Sequence, residues 1–479
     1  MHRQVERHAA TRPDAPSVRV LTNGRWDSTN WRRLRDMAAG VADRAGRLCK
    51  RNAPAVLVLD NSAESLAVFL GLTAASVDLL CLEAGSSHLD EERSVARRIG
   101  ARQVIGPDRG SGVLAYADVL SDGGGPLRAP ERNPAILGMT SGSTGEPRIV
   151  RQDLGNIEHG GRIYRETYGY TADDILGPIP MSHSFGMMGL LAGALVSGAQ
   201  IVTMPRFSVS AVHTAIDEGA TVLLGTPMIY RILGMAPRPA GSASALRALL
   251  SSGGPLPQET RARAERAFGR AVHQIYGSTE AGVIACQYDR ATPWPEGSAG
   301  RIHRSVTWKV ESADGDGDPG AGRLLVRTST LFSGYLGGGD VLDEDGLYDT
   351  GDLVRIDAGG DLTVLARKST FINVGGRKVN PGLVSGVLGE HDDVAEAHVF
   401  GHEEDGEESV HAAVVLRDPR TGVADLLAHC RGRLTAYEVP HRVHVLPELP
   451  RTALGKPDLM AVKRVCRLPP AGTPAEGQP

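Results

Sequence analysis

Ala135-Ile-Leu-Gly-Met-Thr-Ser-Gly-Ser-Thr-Gly-Glu-Pro-Arg148 runs from an apolar stretch straight into a loop of glycines and small hydroxylated residues. Ala135–Met139 reads as a short strand. Thr140, Ser141, Gly142, Ser143, Thr144 and Gly145 then read as a loop whose successive backbone N–H groups can converge on one anion, with the hydroxyls as extra donors. A pyrophosphate or triphosphate fits such a cradle. No G-K-[ST] closes it, so it is not a P-loop. On its own, a Ser/Gly stretch is equally an ordinary linker. The apolar strand in front, and Pro147 and Arg148 directly behind, weigh against that plainer reading.

Outward from this loop, strand and helix alternate. Residues 17–48 read as strand, turn and helix. Ala55–Leu59 is an apolar run suited to a strand buried on both faces. A helix over Asn61–Ala75, capped by Ser62 or Asn61, follows. Val77–Leu82 reads as a strand, Asp90–Ile99 as a helix and Gln103–Ile105 as a strand. Beyond the loop come helix Leu154–Tyr168, strand Asp174–Pro180, helix Gly186–Ser197, strand Gln200–Met204, helix Ser208–Glu218, strand Thr221–Gly225 and helix Pro257–Phe268. A further strand starts at Ala271–Gln274. This is the βαβ rhythm of a doubly wound sheet. Residues 297–365 change character, with short strands set between Gly and Asp. From about 369 a small α+β unit begins, with helices Asn380–Leu388 and Val423–Leu434 and strands Val394–Gly401 and Val410–Leu416.

Composition excludes several classes. The chain has 479 residues, 41% hydrophobic and 23% charged, as in ordinary globular proteins. Its 52 basic and 56 acidic residues give a net charge of −4, which argues against a nucleic-acid or polybasic membrane binder. Aromatics at 4% make base-stacking surfaces a poor fit. Five cysteines without a C-x-x-C pair disfavour a disulfide framework or zinc ribbon. No leader-like apolar region opens the sequence, and no apolar run reaches the ~18 residues of a membrane span. The expected compartment is the cytoplasm. Only six of the basic residues are lysines, and Lys368, Lys378 and Lys456 fall inside the motifs below.

Those motifs are Tyr276-Gly-Ser-Thr-Glu-Ala-Gly282, Gly346-Leu-Tyr-Asp-Thr-Gly-Asp352, Arg367-Lys-Ser-Thr-Phe-Ile-Asn-Val-Gly-Gly376 and Pro450-Arg-Thr-Ala-Leu-Gly-Lys456. With the 140–145 loop, their order and spacing resemble the adenylate-forming superfamily of acyl- and aryl-CoA synthetases, adenylation domains and luciferases. The resemblance covers residues from about 8 to 465. It implies an α/β fold: a large N-terminal domain of two α/β sheets plus a small β-barrel, hinged to a small α+β C-terminal domain. We place the large domain at 1–367, its β-rich part at about 297–365, the mobile domain at 368–468 and a disordered tail at 469–479.

The reaction implied is activation of a carboxylic acid by ATP with Mg2+, giving an acyl-adenylate, then transfer to a thiol of coenzyme A or of a carrier protein's phosphopantetheine, a carrier acting in trans. A non-thiol second nucleophile, or a non-catalytic binding descendant, are the alternatives. By resemblance, Thr140, Ser141, Gly142, Ser143, Thr144, Gly145 and Arg148 bind the phosphates, Arg148 replacing the more usual Lys. Tyr276 and Gly277 face adenine, and Thr279 the α-phosphate. Glu280 holds the metal. Asp352, helped by Arg367, takes the ribose hydroxyls, which suits an acceptor-only carboxylate. Lys368 is the hinge, and Lys456 bridges the carboxylate and the α-phosphate. Gly375, Gly376, Arg377 and Lys378 border the thiol's path.

The plainer readings are a core Tyr, a solvated Glu, a β-turn at 349–352 and surface lysines. The acyl pocket is expected from His183, Ser184, Phe185, Met188, Gly253, Gly254 and Val283, with Met188 equally placed as helix core. Gly186 and Met187 stand where relatives that activate α-amino acids carry an Asp for the ammonium. The acid is therefore expected to be aryl or short/medium acyl. Oligomeric state is not readable.

Overall fold

The computed structural model describes residues 1–22, 24–49, 53–84, 86, 95–96, 98–108, 113–121, 123, 125–140, 148–172, 174–236, 245–312, 321–339, 341–367, 372–374, 377–404, 407–452, 455 and 457–468. Ser141 to Gly145, Lys368, Gly375, Gly376, Lys456 and the 469–479 tail lie outside the described residues, as does most of the helix expected at Asp90–Ile99. Thr140, Arg367, Arg377 and Lys378 are described by their backbone alone.

Two large sheets form the bulk of the chain. The smaller has six strands in the order Val113–Ala115, Val104–Gly106, Ala55–Val58, Leu79–Leu82, Ala135–Thr140 and Arg148–Asp153. Its first five are parallel and the last is an antiparallel edge. The central strands are buried along their whole length, as apolar runs of this kind require. Ser62 caps helix Ala63–Ala74, its hydroxyl accepting from the Ser65 N–H at 3.0 Å.

The larger sheet has 13 strands. Gln200–Thr203, Asp174–Leu176, Val222–Gly225, Ala248–Ser251 and Val272–Ser278 lie side by side and parallel. The sheet then turns antiparallel through Gly282–Cys286 and Ser298–Ile302 into Asp361–Arg367, Tyr348–Ile356, Ala321–Arg327 and Thr307–Ser312. The β-rich stretch is thus hydrogen-bonded to the α/β sheet, with its own buried cluster around Ile284, Leu324 and Val354.

Asn61 joins the two sheets. Its backbone is left-handed (φ 67°), which Asn tolerates better than most residues. Its buried amide donates to the Ile179 carbonyl at 2.9 Å and accepts from the Met181 N–H at 2.9 Å.

Several elements differ from expectation. Arg25–Asn30 is a strand, paired with Pro16–Thr22, and not a turn. Helices His2–Thr11 and Pro227–Met235 and strand Arg148–Asp153 were not expected. The helix expected over Gly186–Ser197 is π-helical from Gly186 to Ala192 and α-helical only from Gly193 to Ser197. Glycines make its tight packing possible. A Cβ on Gly186 would lie 2.0 Å from the Pro180 carbonyl oxygen, and one on Gly160, in the facing helix, 2.7 Å from the Met188 side chain. Inserted π turns are frequent at functional sites.

The last unit packs helices Pro381–Gly389 and Val423–Arg431 on one face of a three-stranded sheet of Val394–Glu404, Glu407–Leu416 and Arg442–Val445. Its other face carries Phe400, Ala413 and Val462 of helix Leu459–Val465. All five cysteines are free, and no helix of the described residues is long and apolar enough to cross a membrane.

That second face also carries His398, His402, His411 and His444, with His411 Nδ1 and His444 Nε2 3.1 Å apart. Burial, then the neighbouring His402, push His411 down to about 3, and burial pushes His398 down to about 4, from an ordinary 6.5. The unfolded chain therefore binds protons that these two folded-state sites refuse, and stability is lost as pH falls from 6.5 toward 3. Unfolding titrations should show a midpoint that drops across this window. The His411→Gln variant should flatten that slope, and an unchanged slope would remove His411 as its cause.

Candidate active site

The C-terminal ends of the parallel strands are where such sheets bind ligands. Strands Val222–Gly225, Ala248–Ser251 and Val272–Ser278 end together there, at Thr226, at Gly253 and at Thr279–Glu280. A Cβ on Gly253 (φ 94°) would lie 3.8 Å from the Thr226 methyl, and the Ser252 hydroxyl donates to the Ile275 carbonyl at 3.0 Å. The Ser252 bond ties two of the strand ends together, and Gly253 lies beside Thr226 at the third, so the three form one ledge.

The turn at Thr279–Glu280 is held from several sides. The Ser278 hydroxyl accepts from the Ala281 N–H at 3.0 Å, and the hydroxyls of Thr328 and Thr330 both donate to the Ala281 carbonyl, at 2.8 and 2.7 Å. Gln152, from the edge strand of the other sheet, donates its amide to the carbonyls of Thr279 and Thr330 at 2.9 and 3.0 Å. A Cβ on Gly138 would lie 3.5 Å from the Thr279 methyl. Both flanks of the 141–147 loop therefore arrive at this turn.

Glu280 is 7% exposed. Its Oε1 accepts from the Tyr335 phenol at 3.1 Å. Burial raises the pKa of that phenol, so it stays a donor. The Arg148 guanidinium sits over the Tyr335 ring, 5.2 Å from its centroid. Segment 333–336 pairs with strand Arg148–Asp153, which fixes Tyr335 between the phosphate-loop flank and Glu280.

Asp352 is 6% exposed, midway along Tyr348–Ile356. Its Oδ2 accepts from the Tyr276 phenol at 2.5 Å, and its backbone registers with that of Arg367. The Tyr276 and Asp352 side chains are thus joined, with the Arg367 backbone alongside. A Cβ on Gly277 would lie 2.0 Å from the Gly282 carbonyl oxygen, so only glycine fits this hairpin.

The residues expected on the acyl side come from three elements: the start of the π-helix, the end of strand Ala248–Ser251 and strand Gly282–Cys286. His183 precedes the π-helix and bonds Glu83 at 3.2 Å. Ser184 and Phe185 are half-buried, with the Phe185 ring 6.3 Å from Tyr164. Met188 and Val283 are buried in the core; Met188 faces Gly160, and its methyl would be 3.3 Å from a Cβ on Gly282. That is the helix-core alternative for Met188. Gly254 has open space where a side chain would go.

Gly455 closes the site from the small domain. Its φ is 76°, and a Cβ there would lie 2.7 Å from Met228 and 4.0 Å from the Thr226 hydroxyl. The residue before Lys456 therefore rests on the ledge of strand ends. Sequence reasoning missed Glu83, Gln152, Thr226, Thr330 and Tyr335. None lies in a motif; Gln152, Thr330 and Tyr335 reach the Tyr276–Gly282 motif from distant segments, Glu83 reaches His183, and Thr226 caps helix Pro227–Met235.

Family models match at both ends: AMP-binding enzyme over residues 5–336, and AMP-binding enzyme C-terminal domain over 384–456. Among curated relatives, an indoleacetate–CoA ligase of Aromatoleum aromaticum is 33% identical over 360 residues, 72% of this chain and 70% of the relative. The O-succinylbenzoate coenzyme A synthetase of Bacillus subtilis, solved with ATP and magnesium ion, superposes with a TM-score of 0.81 at 25% identity, covering 95% of this chain and 97% of that one. ATP-bound MatB of Rhodopseudomonas palustris superposes at 0.82 with 22% identity, covering 97% and 99%, a likeness of fold.

Replacing Gln152 by Leu strips two carbonyls of their donor. At about 1–3 kcal/mol for each unsatisfied buried group, the variant should lose about 2–6 kcal/mol in denaturant unfolding. A loss under about 0.5 kcal/mol, the level of an ordinary surface substitution, would show that the two sheets are joined here by other means.

Proposed function

The chain belongs to the AMP-binding enzyme family and is an AMP-forming acid–CoA ligase by class; from that premise we propose that it activates an aryl or short- to medium-chain acyl carboxylate with ATP and passes the acyl group to coenzyme A. One observation carries the reading. The phosphate-loop flanks reach the Thr279–Glu280 turn, Tyr276 just before it bonds Asp352, and Gly455 rests beside Thr226 at a neighbouring strand end, although they come from distant parts of the chain.

In the first step a carboxylate oxygen attacks the α-phosphorus of ATP, and the bond to pyrophosphate breaks. Two anions must approach, so catalysis consists of placing positive charge and oriented donors. Lys456 supplies a mobile cation at the reacting oxygens. Thr279 contacts the α-phosphate, and Asp352 holds the ribose while Tyr276 lies against the base. The 140–145 loop and Arg148 take the outgoing phosphates. Glu280 offers a carboxylate oxygen that Tyr335 orients, which suits Mg2+, an ion that takes one or two carboxylates and leaves the rest of its sphere to phosphates and water. When bound, that ion offsets phosphate charge.

In the second step the thiolate of coenzyme A attacks the acyl carbon and AMP leaves. The small domain, residues 368–468, turns about Lys368 between the two steps. The 375–378 segment then lines the thiol's path.

Gly186 supports the choice of acid. No side chain fits at this position, so the Asp that would pair an α-ammonium has no place there. Phe185 and the tyrosines behind it give the acyl side an aromatic character, in keeping with the aryl acid in the name of one relative.

ATP–pyrophosphate exchange against aryl, short-chain, medium-chain, α-amino and β-amino acids, without thiol, tests the first step. Exchange with an aryl or acyl acid is expected, and exchange with α-amino acids alone would overturn the assignment. Coenzyme A should then be acylated; transfer only to a carrier protein would replace the acceptor. Lys456→Ala should lower exchange by at least ~100-fold while ATP still binds, since its cation acts at the transition state. Changing Lys368 should impair thioester formation more than exchange; an equal loss in both would remove it as a hinge.

A further inference from the structure

Glu396, on strand Val394–Glu404 of the small domain, holds a guanidinium on each carboxylate oxygen. Oε1 pairs with Nη1 of Arg231, from helix Pro227–Met235 of the large domain. Oε2 pairs with Nη2 of Arg451, at the start of the loop that ends in Lys456. The Glu396 side chain is 15% exposed against 43% for Arg231, so the carboxylate is the buried member of the triad.

Arg451 also shapes the loop. Its Nη1 donates to the Gly455 carbonyl at 2.7 Å, across a turn closed by the Gly455 N–H on the Thr452 carbonyl at 2.8 Å. Gly455 in turn rests on Met228, and Met228 and Arg231 are three residues apart on one helix face. The contacts form a closed circuit: Arg231 to Glu396, Glu396 to Arg451, Arg451 to Gly455, Gly455 to Met228, and back along the helix. One carboxylate thereby ties the loop to the surface on which it lands.

We propose that Glu396 is a positioning residue, a two-armed latch between Arg231 and Arg451 that holds the small domain where Lys456 serves adenylation and that must open before thiol transfer. The proposal rests on the two-step reading above. Its physical basis is asymmetric. With Glu396 charged, two guanidiniums are held together by the anion between them. Without it, they repel across a half-buried contact, and the loop loses its register on Met228.

Arg231→Glu sets a carboxylate against Glu396 from a half-exposed helix position, outside the reacting groups. Exchange of pyrophosphate should fall about tenfold, a loss of the size expected for a partly exposed charged contact. Thioester formation from supplied acyl-adenylate and coenzyme A should stay level or rise. Glu396→Gln should shift the two half-reactions the same way, and Arg231→Lys should restore most of the exchange. Equal changes in both half-reactions, or none in either, would overturn the latch.

A second readout needs no turnover. Spin labels at Arg266→Cys and Arg420→Cys, in a Cys466→Ser background, report the distance between the domains. The unaltered latch should give one narrow distribution, and Arg231→Glu a broader one. An unchanged narrow distribution would overturn the proposal. If the parent enzyme exchanges pyrophosphate with no acid, the proposed function falls, while the spin-label distances still decide the latch.

Discussion

A single side-chain amide stands where the two large sheets meet. Gln152 belongs to the six-stranded sheet, yet both bonds of its Nε2 go to carbonyls attached to the other sheet, at Thr279 and Thr330. Its strand is the return arm of the loop that begins at Thr140. The distance between the phosphate loop and the Thr279–Glu280 turn is thus set by buried hydrogen bonds whose loss leaves polar groups unpaired. Asn61 does the same at the other end of the seam, from a helix start to the strand end before Met181. The sheets are not simply stacked; they are indexed to each other.

That indexing explains how the chemistry is divided. In the proposed mechanism Glu280 and Asp352 stay in place, and both are buried and held by the phenols of Tyr335 and Tyr276. The cation proposed to act in only one step, Lys456, follows Gly455 in the sequence of the small domain. A rigid ledge and a removable cation suit a reaction whose two halves need different neighbours at the same carbon.

Much of this was legible in the sequence because it rests on local rules. The apolar runs at Ala55 and Ala135 became buried strands and Ser62 a helix cap, while Ser208 and Asn380, read as the first residues of helices, cap them from just outside. The motif residues Tyr276 and Asp352 are joined by a hydrogen bond, and Gly455 rests on Met228 beside Thr226. What was not legible depends on contacts across the chain. Gln152 and Tyr335 carry no local mark, because their partners lie more than 50 residues away. The π-helical turn at Gly186 arises from the closeness of Pro180, Gly160 and Leu224, none of which periodicity along one segment can register. Arg25–Asn30, inside the stretch that reads as strand, turn and helix, is a half-exposed edge strand without apolar alternation to mark it.

The π-helix has a consequence for how this fold can vary. A π turn holds one more residue than the α turn it replaces. Removing one residue between Gly186 and Ala192 would let the segment relax to an α-helix while the flanking turns keep nearly the same phase, because the wider π turn sweeps less angle per residue. Only the side chains inside the segment, Met188 among them, would then change the faces they present. The packing beside Phe185 is therefore encoded partly in chain length, and single-residue deletions, which most helices resist, become a route by which one scaffold acquires a differently shaped surface.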